Sequence, residues 1–259
     1  MAEAVDLGSR SEVEGTVSMQ AAVTGMAEEP RFAGTIQLQS AGLRIPAIFT
    51  KPLHAPASIE FDGRLSGGSL LMIRQVGLVL PPVRIVGDGT LKFSEGMVFT
   101  ANVSSGAISL KDLPVGIALG SLKAGTFSSR LHMEGKVRER ASWRTSGEVR
   151  FEHGAILLEA LQDPIREAFV TLRFDQNKIQ IPRMTFHVGA SDLRISGSIA
   201  QWAESPKVRL VIESSQIDVA SFIPSRQTSS APGTDGSGGK TWWSDGRLDM
   251  FLFADHVYY

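Results

Sequence analysis

The chain reads as an all-β protein, a curved antiparallel sheet assembled from repeated meander units, and three observations predict it. Apolar side chains alternate with polar ones at spacing two, turn formers recur about every 8 to 12 residues, and helical periodicity is always broken by proline or glycine. Spacing two puts alternate side chains on one face of a strand. Ile36 and Leu38 sit between Thr35, Gln37 and Gln39; Val149 and Phe151 between Glu148, Arg150 and Glu152; Leu172 and Phe174 between Thr171, Arg173 and Asp175. Further strands are expected at 91–93, 97–103, 127–133, 184–188, 193–199, 208–212 and 248–253, about fifteen short strands in all. Asp62-Gly63, Gly67-Gly68, Asp88-Gly89, Glu95-Gly96, Asp175-Gln176-Asn177 and Asp245-Gly246 are the expected turns. Asp218 is placed to cap one helical turn through Phe222-Ile223, which Pro224 stops. Residues 225–240, rich in Ser, Gly and Thr, read as a disordered loop. Strand pattern resumes at Trp242 and breaks off at Tyr259 in mid-alternation, as expected of a piece of a longer parent chain.

An internal repeat emerges when the segment from Gly34 is laid under the segment from Gly147, an offset of 113 residues with small slips. Gly34-Thr-Ile-Gln-Leu matches Gly147-Glu-Val-Arg-Phe, and Lys51-Pro52 matches Asp163-Pro164. Ile59-Glu-Phe-Asp matches Leu172-Arg-Phe-Asp, and Val83-Arg-Ile-Val-Gly matches Leu193-Arg-Ile-Ser-Gly. The expected organisation is a first unit at 1–128, a second at 129–224, a linker at 225–241 and the start of a further, truncated unit at 242–259.

Composition excludes several function classes. The 26 basic and 27 acidic residues leave a net charge of −1 with no basic stripe, so nucleic acid is not an expected partner. Zero cysteines exclude thiolate nucleophiles, disulfides, thiolate-bound zinc and iron–sulfur clusters. The longest nearly unbroken apolar stretch, Val76 to Val83, is interrupted by Pro81 and Pro82 and is far short of a spanning helix. The first residues lack the basic and apolar regions of a signal peptide.

Three segments carry a resemblance: Leu172-Arg-Phe-Asp-Gln-Asn-Lys-Ile-Gln-Ile-Pro, then Phe186-His-Val-Gly-Ala-Ser-Asp-Leu-Arg-Ile-Ser-Gly-Ser-Ile, then Pro206-Lys-Val-Arg-Leu-Val-Ile-Glu-Ser-Ser-Gln-Ile-Asp-Val. Together they resemble the AsmA-like family, in which a strand on D-G-x-L leads to a strand pair around G-(S/T)-x-(L/V)-x-(L/V)-x-G, then P-x-(L/V)-x-(L/V) and (L/I)-D-(L/V). The match covers 170–220, with weaker echoes at 34–90 and 242–257. Gln176 stands where the family has a turn glycine, and Asn177 is the residue expected to take the positive φ. The resemblance implies a segment of a large, inner-membrane-anchored and mostly periplasmic envelope protein of Gram-negative bacteria. Such proteins are similar to bridge-like lipid transfer proteins, whose stacked β units form a long apolar, taco-like groove.

Enzymatic and metal sites find little support. Ser104-Ser105-Gly106 lacks a G-x-S-x-G elbow, and His54, His132, His153, His187 and His256 are scattered singly without ligand spacing. His187 alternates with Phe186 and Val188, which assigns it to the polar face. Gly87-Asp88-Gly89 precedes a strand rather than the helix that a phosphate loop needs, so it is expected to be a hairpin turn. Asp245, Asp249 and Asp255 fail calcium-loop spacing. Trp242-Trp243 and Trp202 are expected to pack on the sheet rather than at a membrane interface. No catalytic residue, metal or cofactor is expected.

An apolar sheet face must be covered, because burial contributes roughly 25 cal/mol per Å² of apolar area. Periodicity alone leaves two covers open, a second sheet or an apolar ligand in a curled sheet. The resemblance favours the groove, with phospholipid acyl chains against Ile36, Leu38, Ile59, Phe61, Val149, Phe151, Leu172, Phe174, Phe186, Leu193 and Ile195. Inner- and outer-membrane proteins at the ends of the parent chain are the further expected partners. The alternative is a structural or adhesive β-sandwich module that binds protein partners and carries no lipid.

Overall fold

The computed structural model describes residues 12–45, 49–93, 96–112, 116–117, 122–158, 161–201, 205–222 and 247–258. They form seventeen strands and two short 3-10 turns. β1 (Glu12–Gly15), β4 (Ala41–Ile45), β5 (Phe49–Lys51) and β10 (Gly116–Ile117) make a small four-stranded sheet. The others form one thirteen-stranded sheet: β2 (Ser18–Met26), β3 (Glu29–Gln37), β6 (Ser58–Ser66), β7 (Leu70–Leu80), β8 (Val83–Lys92), β9 (Val98–Ser109), β11 (Leu122–Lys136), β12 (Glu139–Ile156), β13 (Ile165–Gln176), β14 (Lys178–Val188), β15 (Ser191–Ala200), β16 (Lys207–Asp218) and β17 (Arg247–Tyr258). Twelve strands follow one another antiparallel from β2 to β16; β17 joins parallel to β16. The sheet is not closed into a barrel: β2 forms one edge and β17 the other. Register shifts in β6, β7, β11, β12, β13 and β14 bend these strands, as bulges do.

The two ends of the strands differ. At one end the connections are tight, as at 27–28, 67–69, 137–138 and 177. Gly67 and Gly68 take φ of +55° and +65°, the pair of left-handed conformations that a two-residue hairpin turn favours. At the other end lie the long connections, from β3 to β6, β9 to β11 and β12 to β13. Both hydrophobic clusters sit at that end. Ala57, Leu80, Val83 and Ile108 form the first; Ile165, Ala168, Phe186, Val188 and Leu193 form the second, where Leu161 and Phe222 pack from outside the sheet. A 3-10 turn at Val219–Phe222 closes the second cluster, started as expected by Asp218, whose Oδ1 accepts the Ala220 N–H at 3.0 Å.

Registers extend the sequence repeat to six strands. β2-β3-β6-β7-β8-β9 and β11-β12-β13-β14-β15-β16 share the same order, the same long connection after the second strand and a 3-10 turn after the sixth. Gly34 lies opposite Phe61 as Gly147 lies opposite Phe174, and Gly15-Thr16-Val17-Ser18 reappears as Gly125-Thr126-Phe127-Ser128. Position 128/129, taken above as the unit boundary, falls inside β11, which is laddered on both sides.

Two expected turns prove to be strand. Gly87-Asp88-Gly89 lies inside β8 and Asp62-Gly63 inside β6. A Cβ on Gly89 would sit 2.2 Å from the Thr100 carbonyl oxygen, and one on Gly63 2.5 Å from the Phe32 ring, so these glycines serve close approach within the sheet rather than chain reversal. In the 175–177 turn, Gln176 itself adopts φ +57°. The strands also run longer than expected, up to 18 residues in β12. The expectations for Trp202, residues 225–240, Trp242-Trp243 and Asp245-Gly246 fall outside the described residues.

Candidate functional site: an uncovered apolar sheet face

Because residues directly opposite in a ladder share a face, register identifies both faces across the whole sheet. One row runs through Ala21, Gly34, Phe61, Val76, Gly87, Val103, Leu131, Gly147, Phe174, Ile179, Ile199 and Val208, one residue from each antiparallel strand. Beside it runs Met19, Ile36, Ile59, Leu78, Ile85, Ser105, Ser129, Val149 and Leu172. Ser105 and Ser129, the polar pair in that row, satisfy each other at 3.1 Å. A third row joins Ile108, Phe127, Phe151, Val170, Met184, Ile195 and Ile212. At a strand spacing of about 4.8 Å, twelve strands make this face about 50 Å long.

All eleven expected site residues lie on this face or at its closed end. Leu38 packs against the first cluster, and nine of the eleven are partly exposed. Phe186 (9 %) and Leu193 (8 %) differ: they oppose each other within the second cluster and belong to the closed core. Among the described residues, the strands of the large sheet touch mainly their ladder neighbours, and the small sheet is joined to the closed end by chain continuity, at 16–17, 38–40 and 52–57. Among the described residues, no second sheet of comparable extent accompanies the large one. Val76, Leu78, Ile85, Val103, Leu131 and Met184 join the face beyond the residues selected from the sequence. Their period-two alternation carries the same signal.

The opposite face is charged and cross-linked. Arg74 clamps Asp62 with two bonds of 2.9 and 2.7 Å, and Arg84 reaches Glu60 at 2.6 Å. Asp88 accepts from Asn102 Nδ2 at 2.7 Å, and Asn102 Oδ1 meets His132 Nδ1 at 2.8 Å. Glu148 accepts from Arg173 at 3.0 Å and from Arg150, and these bonds, Arg173's first, hold its carboxyl below the usual carboxylate range. Burial pushes Asp192 upward, yet bonds from Ser215, Gln216 and Ser214 outweigh it and leave that carboxyl lowered too. His187 is on the charged face, 3.9 Å from Glu167. Two shallow hollows, of about 1340 and 560 Å³, lie on this side; Arg74, Asp88, Asn102, Arg130 and His132 line the first, and Arg183, His187, Arg194 and Phe253 the second. At the closed end Lys51 is buried, donating to the Ala41 and Pro52 carbonyls at 2.5 and 3.2 Å, and desolvation lowers its pKa.

Fold and face together define an open antiparallel sheet with one apolar and one ion-paired side. No family model, curated protein or solved structure matches the chain.

Proposed function

We propose that the uncovered apolar face holds phospholipid acyl chains non-covalently, with head groups in water. The chain would thereby act as a segment of an AsmA-like, inner-membrane-anchored periplasmic protein in lipid transport or outer-membrane homeostasis. The supporting observation is the set of apolar rows, continuous over twelve strands and partly exposed, with no covering layer among the described residues. Covering about 300 Å² of such a face would contribute about 7 kcal/mol before the costs of ordering a ligand. That is ample for a lipid with two flexible chains. The role needs no cofactor and no group with a catalytic pKa. Nine of the sequence-selected residues, from Ile36 to Ile195 but without Phe186 and Leu193, are the proposed contacts.

The test is solvent extraction of the folded protein, purified from a bacterial host, followed by mass spectrometry. Phospholipid in amounts comparable to the protein is expected. Trace lipid alone would overturn the proposal in favour of the adhesive or structural module.

A further inference from the structure

We infer that the charged face of the second unit binds a linear anion of repeated phosphate groups without bases, laid across strands β11 to β16. Two neighbouring rows of that face carry it. Arg130, Glu148, Arg173, Gln180, Ser198 and Arg209 oppose one another in turn from β11 to β16. Ser128, Arg150, Thr171 and Arg183 do so from β11 to β14. Five exposed arginines thus stand against one carboxylate, Glu148, which already accepts from Arg150 and Arg173. Arg130, Arg183 and Arg209 have no hydrogen bond or ion pair among the described residues. Counting Asp249, opposite Arg209 on β17, still leaves three positive charges in excess. The sequence holds no basic run here because five strands contribute one arginine each.

The repeat shows that the fold does not need these arginines. In the first unit the same rows read Gln20, Thr35, Glu60, Gly77, Val86 and Ser104, then Ser18, Gln37, Ser58, Val79 and Arg84. Their two charges cancel, Arg84 donating to Glu60 at 2.6 Å. Strand order and register are shared, so the excess belongs to the second unit's surface rather than to the architecture. Five strand spacings make the band about 24 Å long. Arg130, Arg150 and Ser128 line the larger hollow and Arg183 the smaller one, so the band is dished, which fits a flexible chain better than a flat membrane. Guanidinium forks match phosphate oxygens two bonds at a time, and Ser128, Thr171, Gln180 and Ser198 add neutral donors. Neither row offers an aromatic ring to stack a base, as a nucleic-acid surface would.

The probe is inorganic polyphosphate long enough to cover the band, titrated calorimetrically into the full chain at about 0.15 M salt. Binding is expected, and it should weaken steadily as salt rises. Inorganic phosphate, which reaches only one or two of the arginines, should bind at least roughly tenfold more weakly. Arg130→Gln with Arg183→Gln removes two unpaired surface cations and should lower polyphosphate affinity at least roughly tenfold, with unchanged circular dichroism. Arg31→Gln with Arg64→Gln, a facing pair on β3 and β6, removes the same charge from the first unit. That pair lies about four strand spacings from β11, well beyond the Debye length of about 8 Å, so affinity should change less than about twofold. Absence of binding at this salt, equal loss in both double variants, poly-glutamate bound as tightly as polyphosphate, or single-stranded DNA bound more tightly would each overturn the inference. So would anionic phospholipid vesicles that displace polyphosphate from the parent but not from the Arg130/Arg183 variant. None of these outcomes depends on whether the apolar face carries lipid.

Discussion

Leu172→Glu tests the uncovered face most directly. Leu172 lies opposite Val149, is partly exposed, and has Val170 and Phe174 as its same-face neighbours along β13. Without lipid, a glutamate there keeps most of its water, so the fold loses only the lateral contacts of half a leucine, about 1 kcal/mol. That is small against a stability of roughly 5 to 15 kcal/mol. With an acyl chain lying over position 172, the remaining apolar burial is forfeited and the carboxylate must give up hydration without a partner. Together these exceed the 1.4 kcal/mol that makes a tenfold change, so retained lipid should fall at least tenfold. The assays are circular dichroism with thermal melting, and extraction with mass spectrometry. Val188→Glu is the contrasting variant: Val188 is fully buried in the second cluster, and the same carboxylate there costs several kcal/mol and should unfold the protein. Folded Leu172→Glu protein with undiminished lipid would refute the face as the lipid surface. Unfolding at 172 would refute its being uncovered. A charge reversal at Arg173 is not a silent companion, since it would set two carboxylates opposite each other at Glu148; Arg173→Gln is the suitable one.

Glu148's lowered folded pKa means its stabilisation is present above the unfolded value of about 4.3 and is lost as pH falls through the folded value, so parent stability should drop below about pH 4.3 more steeply than that of Arg173→Gln in urea titrations. Lys51 has the opposite arithmetic. With its folded pKa below the unfolded one, the unfolded chain holds more protons between the two, so the melting temperature should climb with pH towards about 10.4 in the parent and less so in Lys51→Met. Gly189→Ala should destabilise far more than Gly67→Ala in chemical denaturation. Both have φ near +55°, costing about 1 to 2 kcal/mol for alanine, but a Cβ at 189 would also sit 2.0 Å from Ser221 Oγ whereas 67 faces open space.

Strands and faces were legible because a period of two is a local property. Leu193 and Ile195 fall on the same side as Phe186 and Met184 whichever partner each strand finds. Glycine was legible only in part. Gly67-Gly68 reverses the chain, whereas Gly87 and Gly89 continue an alternation that runs Val83, Ile85, Gly87, Gly89, Leu91, and that unbroken period was the available clue to a strand. The small sheet was not legible, because strands of two to five residues are too short to show a period. Nor was the division of the face into open surface and closed core, since Phe186 and Leu172 look alike in the sequence. What separates them is distance along the strand from the long connections, a consequence of topology.

On the proposed reading of the face, that distance also separates stability from binding within single strands. Val188, Phe186 and Leu193 are held by Leu161 and Phe222, which come from outside the sheet, so losing one of them removes contacts on more than one side. Phe174 and Ile179, towards the tight turns, oppose each other and, on their outer sides, Gly147 and Ile199, and belong to neither cluster. A sheet with no second layer among the described residues keeps its shape because its other face is tied strand to strand, by Asp62 to Arg74, Glu60 to Arg84 and Glu148 to Arg173. Exposed pairs of this kind contribute only about 0.2 to 1 kcal/mol each, so the clusters at the closed end must carry the fold. Core substitutions at that end should therefore unfold the protein, while substitutions in the open rows should leave it folded and change only what the face retains.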